Sequence, residues 1–225
     1  MSVLGWIAEA LFPRFCVRCN KEGRDVCEGC LGETLQSPLP LSCVVCDAPT
    51  PIGATCSGCS SSLDGVVSSF AYSDAVVKGL LKRWKFEYSV SARDALRPLV
   101  ESTELGELLG AGEWTVVPVP VHCSRLRERG FDQATWIAYV VGEEIGQSAV
   151  GLLERVHATL QQARRAGEER RREDLMGSFR ARQPIDGRVL LCDDVCTSGA
   201  TLEAAAAACK EAGATHVWAY TIARG

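Results

Sequence analysis

Eight of the twelve cysteines fall within the first sixty residues, as four Cys-x-x-Cys pairs: Cys16/Cys19, Cys27/Cys30, Cys43/Cys46 and Cys56/Cys59. That spacing lets two thiolates grip one zinc ion from a tight knuckle, and two knuckles complete a closed tetrahedral site. Four ligands with no open position describe a structural metal, not a catalytic one. Four knuckles can pair in three ways. Sequential pairing gives two successive centres, crossed pairing interleaves them, and the spacing leaves both open. The expectation is one or two structural zinc ions. Large apolar residues are scarce around the knuckles, so the metal is expected to supply most of the folding energy, roughly 10–16 kcal/mol for a structural zinc. Chelation is therefore expected to unfold residues 1–60. Paired cysteines can instead form a disulfide framework, but that requires an oxidising compartment. The short apolar stretch 1–12 lacks the basic start of a secretory signal, so the expected setting is reducing and cytoplasmic.

The chain of 225 residues has room for one α/β domain plus a small module. The boundary is expected at a serine-rich linker, giving a double zinc ribbon over 1–62 and a larger domain over 63–225. The formal net charge of −4 argues against a uniformly basic coat for nucleic acid. Charge is nevertheless uneven: twelve of the nineteen arginines lie between Arg125 and Arg188, where a polyanion would be met first. No apolar run approaches the ~20 residues that span a bilayer, so no transmembrane segment is expected.

Downstream of the linker, residues 66–72 read as a strand. Ser73 is the expected cap of a helix whose Val76, Val77, Leu80, Leu81 and Trp84 share one face. Lys78, Lys82, Arg83 and Lys85 decorate its other side. A second helix is expected over 90–109 and a strand over 115–120. A third helix starts near Phe131-Asp132-Gln133 and ends at Gly146. A short strand near 150–153 precedes a charged stretch over 160–175. Final strands are expected over 188–191 and 216–223, with an alanine-rich helix between them. Strands alternating with helices predict a parallel, doubly wound sheet.

Residues 189–201, Val-Leu-Leu-Cys-Asp-Asp-Val-Cys-Thr-Ser-Gly-Ala-Thr, carry the candidate chemistry. Four apolar residues form a buried strand, Asp193 and Asp194 stand at its end, and a short loop leads into the helix. Free backbone N–H groups and the positive end of a helix dipole make such a junction an anion site. Thr197, Ser198 and Thr201 add hydroxyls, Gly199 allows close backbone approach, and Ala200 completes the loop. Two carboxylates would repel a bare phosphate. They suit a ligand that carries a phosphate and a vicinal diol, as ribose 5-phosphate does. Cys196 lies near the helix N-terminus, a setting that lowers a thiol pKa, although it reads mainly as a small residue that fits the loop. The stretch resembles the signature of type I phosphoribosyltransferases, which bind phosphoribosyl pyrophosphate (PRPP).

Nearly the whole chain resembles the ComF family of competence-associated, phosphoribosyltransferase-like proteins. The four cysteine pairs resemble that family's double zinc ribbon, and Leu80-Leu81-Lys82-Arg83-Trp84-Lys85-Phe86 its basic helix end. Pro118-Val119-Pro120, followed by Arg125, Arg127 and Arg129-Gly130-Phe131-Asp132-Gln133, is similar to its next motif. Arg155, Thr159, Gln162, Arg170, Arg171, Arg172 and Phe179 echo the segment before the signature. Asp132 and Asp174 depart from a frequent asparagine, and Ser198 from a frequent threonine.

The resemblance implies a type I phosphoribosyltransferase-like sheet flanked by helices. Asp193 and Asp194 would hold the ribose hydroxyls and steady the cationic sugar while a nitrogen nucleophile displaces pyrophosphate. Residues 197–201 would cradle the 5-phosphate, with Arg125 and Arg129 as pyrophosphate partners. Magnesium would accompany PRPP. The family's role in DNA uptake implies single-stranded DNA and proteins of the uptake machinery as partners, with Trp84 and Trp136 as candidate stacking residues. A metabolic phosphoribosyltransferase with no DNA role is the alternative.

Overall fold

The computed structural model describes residues 13–121, 126, 130–156 and 177–225. Its centre is a four-stranded sheet in the order β1-β6-β5-β2, with every neighbouring pair parallel. The strands are β1 (Gly65–Ala71), β2 (Trp114–Pro118), β5 (Arg188–Cys196) and β6 (His216–Arg224). Two further strands, β3 (Leu153–Arg155) and β4 (Phe179–Ala181), pair antiparallel in a small separate sheet.

Both faces of the central sheet are covered, so its strands read as near-continuous apolar runs rather than alternating ones. Leu190 and Cys192 of β5, with Trp218, Tyr220 and Ile222 of β6, pack into one core with helices α2 (Ala75–Glu87), α3 (Val90–Glu101), α4 (Leu105–Leu109) and α5 (Gln133–Ile145). Their neighbours Val189, Leu191, Val217 and Ala219 face the other core, built with the alanine side chains of α6 (Ala200–Glu211) and with Leu153 and Phe179. The expected mixed α/β architecture with a parallel sheet between helices is thus observed. Among the described residues, no helix is long and apolar enough to cross a membrane.

Several local expectations change. The helix foreseen over 90–109 breaks into α3 and α4. Ser102 Oγ donates to the Leu99 carbonyl, Glu104 takes a left-handed conformation at φ 52°, and the Leu105 N–H donates to Glu144. Local hydroxyl bonding competes with the helix ladder here, and the turn drives Leu105 into the core. Asp74, not Ser73, caps α2: its carboxylate accepts from the Val76 and Val77 N–H groups, at 2.8 and 3.0 Å. β5 runs on through the two acids to Cys196, because the nine-residue β6 offers a ladder partner all the way to Arg224. The short strand near 150–153 is displaced to Leu153–Arg155, with a single parallel bridge between Val116 and Ala149 before it.

The segment over 60–65 is fastened to the α/β core. Leu63 is only 1% exposed, and Ser61 and the Ser62 N–H donate to Glu203 of α6. Asp64 accepts from the Val217 N–H and from Lys210. Among the described residues of the cysteine-rich segment, Glu28–Leu35 form a helix, α1, which rests on α2. Gly79 makes room for Val17, whose Cβ would lie 2.6 Å from a Cβ at that position. Arg83, expected on a solvated face, donates to the Phe15 carbonyl and pairs with the buried Asp25 at 2.8 Å. Removing one partner of a buried pair strands the other charge. Arg83→Met should therefore cost about 2–4 kcal/mol, moderated by Arg14 at 4.0 Å from Asp25. Chemical denaturation of the variant against wild type measures this. A loss under 0.5 kcal/mol, on the order of an exposed pair, would contradict it.

Candidate functional site

The carboxyl ends of β5 and β2, the C-terminal turn of α2 and the start of α5 surround a cavity of about 330 Å³. Asp193, Asp194, Thr197 and Thr201 line it, together with Lys85, Gln133 and Arg155. This is the end of a parallel sheet where ligands settle in such folds. Adjacent strand residues point in different directions, and the two acids accordingly have different surroundings. Asp194 is buried and pairs with Lys85 Nζ at 3.0 Å. Asp193 Oδ1 accepts the Asp194 N–H at 2.8 Å. Burial raises the Asp193 pKa, and the neighbouring Asp194 charge raises it further against the pull of Lys85.

That shift has a stability consequence. Native Asp193 holds its proton more tightly than the unfolded chain does, so its contribution is intact at low pH. It is lost as pH climbs from the ordinary carboxylate value of 3.8 through the raised one. Asp193→Asn should therefore stabilise the ligand-free protein by about 1–2 kcal/mol at neutral pH and by much less near pH 4. Thermal melts of both proteins across that range would show the advantage shrinking on acidification. A constant difference would assign the effect to another cause.

The loop after β5 is divided between two environments. Thr197 and Thr201 border the large cavity. Ser198, Gly199 and Ala200 instead border a second cavity of about 140 Å³, shared with Val44, Val45 and Ser61. Gly199 occupies the N-cap of α6 at φ 72°, a left-handed conformation that favours glycine. A Cβ there would sit 3.2 Å from Val44 Cγ2. Cys196 is buried, as suits a small residue that fits this junction, and burial raises its thiol pKa rather than lowering it as a helix N-terminus would. Asp132 acts as the N-cap of α5, accepting the Ala134 N–H at 3.0 Å. The expected pyrophosphate partners Arg125 and Arg129 lie outside the described residues, as do Arg127, Thr159, Gln162, Arg170, Arg171, Arg172 and Asp174. Trp84 is buried, stacked on Phe131 at 5.8 Å and edge-on to Trp136 at 5.2 Å, so it packs rather than presenting a free face.

Sequence reasoning did not place Lys85 against the acid pair. The basic end of α2 was visible, but its partner lies 109 residues away. Arg155, noted only for its likeness to a family motif, stacks its guanidinium over Phe179 at 5.3 Å and lines the cavity.

The cysteines gather sequentially: Cys16, Cys19, Cys27 and Cys30 form one cluster, and Cys43, Cys46, Cys56 and Cys59 the other. Within each, the ligand atoms lie within 4.8 Å of one another. The sulfurs of Cys19 and Cys27, and of Cys46 and Cys56, are 3.6 Å apart. A zinc–sulfur bond of about 2.3 Å gives a tetrahedral edge of about 3.8 Å, so the arrangement fits a zinc ion. Side-chain contacts with their cluster partners and burial push the Cys30 and Cys59 thiols up to about 12, since four thiolates cannot share so small a volume uncompensated. A dication would relieve that repulsion.

A parallel α/β sheet with a polar cavity at its carboxyl edge, preceded by two tetracysteine centres, defines the class of protein. No family model matches the chain. Two curated relatives do. The chain is 26% identical to competence protein ComFC of Bacillus subtilis (strain 168) over 214 residues, covering 91% of this chain and 86% of that protein. It is 28% identical over 160 residues to competence protein ComFC of Streptococcus pneumoniae (strain ATCC BAA-255 / R6), covering 69% and 66%. This similarity over most of the chain supports membership of the ComF family.

Proposed function

We propose that this chain is a competence-associated, PRPP-binding protein of the ComF type that acts in DNA uptake. The observation that carries the reading is the single cavity in which two carboxylates, two hydroxyl side chains at a strand–helix junction and a lysine converge. The carboxylates accept from the ribose hydroxyls, while Thr197, Thr201 and the first N–H groups of α6 take the 5-phosphate. Lys85 holds Asp194 in place and adds positive charge beside the pyrophosphate. The hard carboxylate oxygens also suit magnesium, which when bound with PRPP offsets the pyrophosphate charge.

Single-stranded DNA is the proposed macromolecular partner. Trp84 is unsuited to stacking on bases. Phe86, 65% exposed, stands at the same basic helix end and offers an aromatic face one helical turn from Lys82, whereas the half-exposed Tyr88 packs edge-on against Phe131 at 6.0 Å. Isothermal titration with PRPP and magnesium, repeated with a single-stranded oligonucleotide present, tests both parts. Micromolar PRPP binding and salt-sensitive oligonucleotide binding are expected. Absence of PRPP binding overturns the ligand assignment. PRPP binding with pyrophosphate release to a nitrogen acceptor, and no oligonucleotide binding at low salt, would favour the metabolic alternative.

A further inference from the structure

The loop that forms one wall of the cavity has no side-chain cap of its own, since Gly199 supplies none to α6. It is braced from behind by the second cysteine cluster. Arg224 is the last residue of β6, opposite Cys196 at the end of β5, and its side chain is only 14% exposed. Its guanidinium donates to Ser42 Oγ at 3.0 Å and to the Cys43 and Val44 carbonyls at 3.3 and 3.2 Å, and it pairs with Asp47. Asp47 is the left-handed residue, at φ 59°, that closes the Cys43/Cys46 knuckle. From that knuckle Val44 returns to the loop, packed against Gly199. The chain of contacts is therefore closed: β5 end, Arg224, knuckle, Val44, loop.

The first cluster braces a different element. Its segment grips α2 through Arg83 and Val17, two turns or less from Lys85. Its bonds to α2 lead to the loop only indirectly, through the Lys85–Asp194 pair.

We propose that metal loading of the second cysteine cluster is thermodynamically linked to anion binding at residues 197–201, with Arg224 and Val44 as the positioning residues that carry the linkage. The bistable element is the knuckle itself, ordered with metal and unfolded without it. When it unfolds, Arg224 loses the acceptors that hold its buried charge and Gly199 loses its backing. The loop then pays an ordering cost on binding that the loaded protein does not. Linkage is reciprocal, so a ligand on the loop must also hold the second metal more tightly.

The ligand half of this inference rests on the PRPP reading, and the loop half does not. The test uses the full zinc-loaded chain. Hydrogen exchange follows the peptide over 195–203, and thiol alkylation read by peptide mass spectrometry reports which cluster has opened. Cys46→Ser/Cys59→Ser should release one zinc, accelerate loop exchange about tenfold and weaken PRPP binding by a similar factor. Cys19→Ser/Cys27→Ser should release one zinc and speed exchange in α2, with the loop at its wild-type rate. Should either serine protein fail to fold, Arg224→Gln retains every ligand thiol. Under chelator competition it should open the second cluster several-fold faster than wild type and leave the first unchanged. In wild type, saturating PRPP with magnesium should slow alkylation of Cys46 and Cys59 but not of Cys19 and Cys27. Loop exchange that keeps its wild-type rate after the second zinc has gone overturns the linkage. Loop exchange that tracks that zinc while PRPP fails to bind overturns the PRPP reading alone.

Discussion

Replacing Asp193 and Asp194 together by alanine is expected to lower PRPP affinity by at least about 100-fold without unfolding the protein. A hydrogen bond to a charged group contributes about 1.5–3 kcal/mol. Two ionised carboxylates on the ribose diol therefore supply about 3–6 kcal/mol, and each 1.4 kcal/mol is a factor of ten. Loss of fold does not confound the result: removing Asp193 relieves the cost that raises its pKa, and Lys85, left without Asp194, keeps contact with solvent through a side chain that is 28% exposed. The two acids are also separable. Asp194→Ala frees Lys85 from its 3.0 Å partner, leaving an uncompensated cation on the cavity wall. That variant should bind inorganic pyrophosphate several-fold more tightly than wild type while losing PRPP affinity. Asp193→Ala keeps the Lys85 pair, so it should lose PRPP affinity with no gain for pyrophosphate. Isothermal titration of the three proteins with both ligands distinguishes these outcomes. Wild-type PRPP affinity in the double variant would remove the acids from the ribose contact.

The features that could be read from sequence are those whose chemistry is local. Cys-x-x-Cys knuckles, adjacent acids and a hydroxyl-glycine loop before a helix are written within a few residues; in the structure the knuckles gather into two clusters, and the acids and the loop border cavities at the end of β5. What could not be read depends on partners far along the chain. Spacing left the pairing of four equivalent knuckles open, and the folded backbone makes it sequential. Periodicity ran α3 and α4 together because the break at 102–104 leaves the apolar spacing intact and depends on Glu144, 39 residues beyond Leu105. Strands of three residues, such as β3 and β4, are too short to show an alternation. The length of β5 was understated because acids are poor strand formers in isolation, whereas here β6 supplies the ladder. Arg224 gave no signal at all, since nothing in its neighbourhood in sequence hints that it reaches a cysteine knuckle about 180 residues earlier.

Stripping zinc with a strong chelator is expected to unfold the cysteine-rich segment while the parallel sheet survives. The buried apolar side chains between residues 13 and 62 are Cys16, Val26, Cys30 and Cys43, three of which are metal-ligand candidates. Fully burying a valine contributes about 1.5–3 kcal/mol, against roughly 10–16 kcal/mol for a structural zinc. Without the ion, each cluster also crowds four thiols into one small volume where they cannot all ionise, and one in each, Cys30 and Cys59, is pushed up to about 12. The sheet stands on other ground: its two cores are built largely from residues beyond 62, including fully buried Leu96, Leu190, Leu191 and Ile222. Unfolding the segment nevertheless uncovers Gly79 and strands Arg83 and Arg224, so the remaining domain should melt several degrees lower. Exchange-protected peptides over 65–71 and 188–192, alongside unprotected ones over 16–59, are the expected pattern in the zinc-free protein. Protection over 16–59 that persists with no zinc bound would show that packing against α2, and not the metal, holds the segment folded.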